Sequence, residues 1–199
     1  MSGRTTIELD TPLVGDVDLP AVLAEIPRGH TLKGMFFRRY AAEAGADWPD
    51  VARELRRPPP DGRYHAFEDY PLSDYLRIFD RAARRRFPGS TREAYRLLAR
   101  GEVEVFTEST LGKVTFTLLR DPAAALLRSP EVFEVLARGP AASARRSGER
   151  SVLVTFSRYD GALEYAIGVL EGLVLAFDES PRLVVTVTPE RRVDLDVSW

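Results

Sequence analysis

The sequence has no cysteine, no asparagine and no glutamine. Without cysteine, disulfides, thiolate metal sites and thiol nucleophiles are excluded. Without Asn and Gln, the bidentate side-chain pairing with adenine used by many DNA readers is excluded too. Lysine is scarce, and arginine supplies 26 of the 28 basic residues. This bias fits the codon usage of a GC-rich genome better than thermal adaptation, which tends to enrich lysine. No stretch approaches the ~20 consecutive apolar residues that cross a bilayer. The N-terminus lacks the basic-then-apolar order of a signal peptide. A cytoplasmic protein without a membrane span is the expectation.

What is present is ordinary for a globular protein: 199 residues, 44% hydrophobic and 29% charged. A chain of that length buries roughly 70% of its unfolded surface and needs no metal or disulfide staple. The net charge of −2 is unevenly spread. Residues 53–100 carry twelve Arg against seven acids, and residues 151–199 carry four Arg against eight acids. Such a split can present a basic face to an acidic partner, although solvated helix faces produce the same count. An overall pI near 5.8 argues against a nucleic-acid module.

The clearest pattern closes the chain. Ser151–Ser157 is a β-branched run, Asp160–Phe177 is an apolar helical stretch, and Leu183–Thr188 with Arg192–Trp199 reads as two strands. Val193, Leu195, Val197 and Trp199 alternate with Arg192, Asp194, Asp196 and Ser198, the signature of an antiparallel strand with one wet face. Apolar residues wrap most of the 160–177 helix, which predicts burial, with Gly168 and Gly172 admitting a close neighbour.

The preceding residues read mainly as helix. Thr5–Leu9 suits a short edge strand. Asp18 caps a helix with Pro20 in its first turn, stopped by Pro27 and Gly29. A helix from Thr31 to Ala44, ending at Gly45, carries Leu32, Met35, Phe36 and Tyr40 on one stripe. A further helix runs from Asp47 to about Arg56, and Arg57–Gly62 is a proline-rich loop. Ser73 is the expected cap of a helix reaching Phe87, with Leu72, Tyr75, Leu76, Phe79, Ala83 and Phe87 apolar; Pro88-Gly89 ends it. Ser90-Thr-Arg-Glu93 fits a capping box for a helix to Arg100, with Gly101 beyond. Residues 102–119 read either as two strands turning at Gly112 or as helix. Asp121-Pro122 and Ser129-Pro130 each predict a short helix, Pro122–Leu127 and Pro130–Ala137. Residues 139–150 read as a loop.

The expected architecture is α+β within one domain, 1–199. A helical N-terminal two thirds (1–138) packs on a small antiparallel sheet formed by the strand-helix-strand-strand unit of 151–199.

No phosphate loop, Rossmann glycine pattern, His-Glu-x-x-His, EF-hand or nucleophile elbow occurs. We therefore assign no catalytic residue, no metal ligand and no cofactor. The two histidines, His30 and His65, are candidates for a general base or a haem ligand, but isolated histidines beside Gly or Tyr are usually surface residues. Glu68 and Asp69 lie near His65 in sequence. The pairs Glu102/Glu104 and Asp194/Asp196 read as exposed, solubilising carboxylates. The aromatics Phe36, Phe37, Tyr40, Tyr64, Phe67 and Tyr70 are the candidates for an apolar ligand pocket. Arg77, Arg81, Arg84 and Arg85 are the candidates for a partner face.

Several motifs together resemble a known family. They are Lys33-Gly-Met-Phe-Phe37, Tyr75-Leu76, Phe87-Pro88-Gly89, Thr110-Leu-Gly-Lys113, the helix from Tyr159 to Gly172, and the terminal Asp196-Val-Ser-Trp199. Over nearly the whole chain they resemble a paralogous family of roughly two-hundred-residue proteins expanded in myxobacteria. More distantly, the order of elements resembles the ligand-binding fold of haem nitric-oxide sensors, vinyl-reductase-type domains and TRAPP subunits. The haem branch of that fold implies a mid-chain histidine ligand and a Tyr-x-Ser-x-Arg motif. Neither is present after His65, so haem is not carried over.

The resemblance and the aromatic surplus imply a non-enzymatic sensory or adaptor domain, dimeric in one form, that binds a small apolar ligand or a protein partner. Two alternatives are a scaffold that binds an acidic protein or nucleic acid through the Arg77–Arg86 face, and an enzyme working without His or Cys chemistry.

Overall fold

The computed structural model describes residues 3–44, 47–59, 63–117, 119–139 and 141–199. Two expectations fall outside them, the helix stop at Gly45 and the end of the proline-rich loop at residues 60–62. Strand β1 (Gly3–Glu8) is followed by helix α1 (Leu19–Glu25), capped by the Asp18 carboxylate, which accepts from the Ala21 N–H at 3.0 Å. Strand β2 (Thr31–Lys33) runs into α2 (Gly34–Ala44), then α3 (Trp48–Arg53). Strand β3 (Asp69–Pro71) runs into α4 (Leu72–Arg86), followed by α5 (Thr91–Glu108), α6 (Thr110–Thr117) and α7 (Pro122–Leu136). After β4 (Ala137–Arg138) the chain closes with β5 (Ala142–Gly148), β6 (Ser151–Phe156), α8 (Leu163–Leu175), β7 (Arg182–Val187) and β8 (Val193–Ser198).

The α+β architecture and the closing strand-helix-strand-strand unit are as expected from sequence. Five antiparallel strands lie in the order β1-β7-β8-β6-β5, and a smaller sheet has the order β3-β2-β4. The inner face of the large sheet is Val152, Val154 and Phe156 of β6, Leu183 and Val185 of β7, and Val193, Leu195 and Val197 of β8. These side chains pack on Ile167, Leu170 and Val174 of α8. Each such fully buried aliphatic or aromatic side chain contributes about 1.5–3 kcal/mol, which fixes the register because a one-residue slip would expose the whole set.

Helix α8 is held against α5 at very short range. A Cβ on Gly168 would stand 2.1 Å from the Arg96 carbonyl oxygen, and one on Gly172 would stand 2.9 Å from that of Arg100. Both glycines are therefore what lets the backbones meet. Across this contact Arg96 and Glu171 form an ion pair with both side chains fully buried, Nη2 to Oε1 at 2.6 Å. Arg100 adds a second bond to Glu171 at 2.7 Å. Arg96 also donates to the carbonyls of Glu8, Leu9 and Thr11, so the segment after β1 is tied to the helical core.

Several local expectations are corrected. The helix expected to end at Arg100 continues through Gly101 to Glu108, which decides the open reading of the following residues for helix. Ser109 then turns extended and its hydroxyl accepts from the Gly112 N–H at 3.0 Å, starting α6. Pro122–Leu136 is one helix, not two. Pro130 cannot donate to the Leu126 carbonyl, and the Ser129 hydroxyl donates to it instead at 2.8 Å. Residues 142–148 are strand β5, paired with β6, rather than loop. Thr31–Lys33 is strand, paired on both sides, so the following helix starts at Gly34. Ser73 lies inside α4 and Pro71 holds the N-cap position. Ser90 and Glu93 do not form a capping box. The Ser90 hydroxyl donates to the Leu13 carbonyl at 2.7 Å, and Glu93 accepts from the Leu13 N–H at 2.8 Å.

Candidate functional site

Between the helices and the sheet lies an apolar cavity of about 350 Å³. Phe36 of α2, Tyr75 and Leu76 of α4 and Phe106 of α5 line it. Val132 and Phe133 of α7, Phe156 of β6, and Tyr165 and Val169 of α8 line it too. Helical spacing explains the wall: residues three and four apart on α5 and α8 project the same way.

Of the two acids on this lining, Glu134 is exposed and Glu102 is buried among the apolar side chains. Glu102 of α5 is 3% exposed, and burial pushes its carboxyl up from 4.5 to about 7, against the opposing pull of nearby hydroxyls and Arg39. The Tyr75 hydroxyl donates to Oε1 at 2.8 Å. Oε2 is buried and has no hydrogen-bond partner among the described residues. The phenols of Tyr40 on α2 and Tyr165 on α8 face the same carboxyl. Burial, reinforced by the Glu102 charge, raises the pKa of Tyr40, Tyr75 and Tyr165 far above that of free tyrosine, so all three stay protonated. Arg39 acts on Glu102 through space and is itself paired with Glu43 at 3.6 Å. The result is a largely carbon-lined space with a buried carboxyl and its phenols on the wall.

The Glu102/Glu104 pair is thus not a pair of exposed carboxylates: Glu104 faces solvent and Glu102 does not. Under the helical alternative the signal was present, because Glu102 falls on the stripe of Tyr95, Leu98, Ala99 and Phe106. Of the aromatic candidates, Phe36 lines the cavity and Tyr40 faces its acid. Phe37, Tyr64 and Tyr70 build a neighbouring cluster, with ring centroids 4.6 Å apart for Phe37–Tyr64 and 4.7 Å for Tyr64–Tyr70. Phe67 is 68% exposed.

The basic candidates of α4 are mostly paired within the chain: Arg81 with Glu54, Arg84 with Asp80 and Arg85 with Asp47. Arg77 keeps a buried Nε without a partner. His65 is exposed, and its sequence neighbours Glu68 and Asp69 pair with Arg57 and Lys33. His30 lines the cavity from the turn before β2, half exposed, with its Nδ1 buried and unpartnered. Asp194 accepts from Thr155 and pairs with Arg192, and Asp196 accepts from Ser147. Among the described residues no group of three or more metal-ligating side chains comes together.

A family model described as "Protein of unknown function (DUF2378)" matches residues 26–199. The chain belongs to the DUF2378 family. No curated protein matches it in sequence. Among solved structures, this DUF2378 member is similar to an Fe(II) unliganded H-NOX protein from K. algicida, at 14% identity and a TM-score of 0.61 over 84% of this chain and 96% of that one. It is also similar to an H-NOX protein from S. oneidensis, at 13% identity and a TM-score of 0.66, with coverage of 84% and 95%. For an H-NOX protein from T. tengcongensis the values are 17% and 0.61, with coverage of 84% and 97%. At such identities the likeness is one of fold.

Haem is named for other solved structures of this similarity, which raises the question of its fit to this cavity. Iron in haem takes an axial His, Cys, Met or Tyr. Helices α4 to α8 bring no His, Cys or Met to the lining, and its phenols, those of Tyr75, Tyr159 and Tyr165, would have to give up a proton in a buried place to serve as ligands. That leaves one imidazole, that of His30, half exposed in the turn before β2. The volume sits at the small end of the ~300–1,000 Å³ range for small-molecule sites. No described helix or strand residue lining this DUF2378 cavity offers a haem iron an imidazole, thiolate or thioether, so its walls do not fit a haem.

Proposed function

We propose that this chain is a sensory or adaptor domain that holds a small, largely apolar molecule between its helices and its sheet, and that it catalyses no reaction. The observation that carries this reading is the cavity itself, mostly apolar, with one buried carboxyl beside protonated phenols on its wall. Pockets of this size, mostly apolar with a few placed polar groups, are the common form of small-molecule sites. The fold shared with H-NOX proteins, crystallised in Fe(II) form, supports a ligand-binding domain. The same cavity holds neither a nucleophile–base pair nor a metal cluster among the described residues, which favours recognition over catalysis.

Native mass spectrometry of the protein purified from its own host tests the proposal and counts subunits in the same run. A non-covalent adduct of small-molecule mass, lost on denaturation, is the expected result. Bare chain throughout, together with failure of apolar probes to bind, overturns it.

A further inference from the structure

We propose that the cavity takes a primary amine with an apolar body, its ammonium group placed on Glu102, an assignment that rests on the cavity being a small-molecule site. Oε2 of Glu102 is buried and unpartnered, an acceptor that nothing among the described residues uses. No ion pair forms at Glu102 among the described residues, although acid–base pairings elsewhere hold many of the chain's arginines. The cations on the lining, Arg128 and Arg138, are exposed and do not neutralise a group that is 3% exposed.

An ammonium group answers each of these features. It brings a positive charge into contact with the carboxylate, where the local dielectric makes that charge count most. Arg39 reaches the carboxylate only through space, from its own pairing with Glu43. One N–H donates to Oε2, and the hydroxyl oxygens of Tyr75 and Tyr165 can accept others. The rings of Phe36, Tyr75, Phe106 and Tyr165 around the space favour a cation by their π faces. An alcohol would leave the carboxylate charge uncompensated, and a carboxylate ligand would be repelled by it. The apolar body then fills the carbon-lined remainder.

The test uses three probes with one chain length, octylamine, octan-1-ol and octanoate, titrated calorimetrically into the full chain. At pH 8, octylamine should bind at least tenfold more tightly than octan-1-ol, with octanoate weakest. Glu102→Gln should bring octylamine to within about threefold of octan-1-ol. Lowering the pH from 8 to 6 should weaken octylamine about tenfold as Glu102 takes up its proton, and leave octan-1-ol unchanged. The other groups facing Glu102 are Arg39 and Tyr40 of α2, Tyr75 of α4 and Tyr165 of α8; the phenols stay protonated over that range and guanidinium groups keep their charge. Octan-1-ol or octanoate binding as tightly as octylamine to the unaltered chain overturns the amine assignment and leaves the cavity reading standing. If none of the three binds, both fall. The ratio on the unaltered chain decides even where Glu102→Gln fails to fold.

Discussion

Arg96 on α5 and Glu171 on α8 face each other with both side chains fully buried, and Nη2 of one meets Oε1 of the other at 2.6 Å. Removing one partner leaves a charge in a low-dielectric interior, which costs about 3–5 kcal/mol, while replacing both with apolar residues of similar size is often near neutral. Glu171→Leu should therefore lower stability in urea denaturation by about that amount. Arg96→Met combined with Glu171→Leu should recover part of it, less the loss of the Arg96 bonds to the carbonyls of Glu8, Leu9 and Thr11 and of the Arg100 bond to Glu171. A loss under ~1 kcal/mol in Glu171→Leu, the size expected of an exposed pair, would show that the pair is not buried as described.

Gly168 gives a test with opposing signs. Alanine is favoured over glycine inside a helix by about 1 kcal/mol. Here its Cβ would meet the Arg96 carbonyl oxygen at 2.1 Å, and a backbone atom cannot swing away. Gly168→Ala should destabilise by about 1–3 kcal/mol, since the clash outweighs propensity. Thermal unfolding reads the sign directly.

Glu102 predicts a pH dependence. Unfolded, its carboxyl titrates near 4.5; folded, burial raises it to about 7. Below 4.5 both states hold the proton and the group contributes nothing. Between 4.5 and 7 the folded state keeps a proton the unfolded state has lost, so stability falls as pH rises. Above about 7 the loss is complete, on the order of 3 kcal/mol. Gln cannot ionise, so Glu102→Gln should gain stability relative to the unaltered chain between about pH 5 and pH 8. Parallel stability–pH curves for the two proteins would contradict the burial of an ionisable Glu102.

Much of the fold was legible because its signals are local. The alternation of Val193, Leu195 and Val197 reads as a half-buried strand from sequence, and the Gly168/Gly172 spacing reads as a close helix contact. Other features depend on partners distant in the chain. Strand β5, Ala-Ser-Ala-Arg-Arg-Ser-Gly, has no apolar alternation of its own and is strand because β6 pairs with it. Pro130 signals a helix start, and only the Ser129 hydroxyl on the Leu126 carbonyl lets α7 continue. The site was harder still. Glu102-Val-Glu-Val imitates a strand with an exposed acid on one face; the helix that hides Glu102 is fixed by its packing on α8. Aromatic content led to the neighbourhood of the cavity, Phe36 and Tyr40, but not to the buried acid on its wall.

Ser129 provides a local check on the continuity of α7. Ser129→Ala leaves the buried Leu126 carbonyl without a donor beside Pro130, a loss of about 1–3 kcal/mol. Chemical denaturation should show it. A neutral substitution would mean the helix does not need the hydroxyl to pass the proline.

Whether the space between helices and sheet receives a small apolar molecule can be read by fluorescence titration with the uncharged probe N-phenyl-1-naphthylamine. The comparison is between the unaltered chain and Val132→Trp, which fills the space from α7. A saturable rise with one molecule per chain is expected, abolished or weakened at least tenfold in the variant. No saturable signal, or the same signal from both proteins, would rule out the cavity as a binding site.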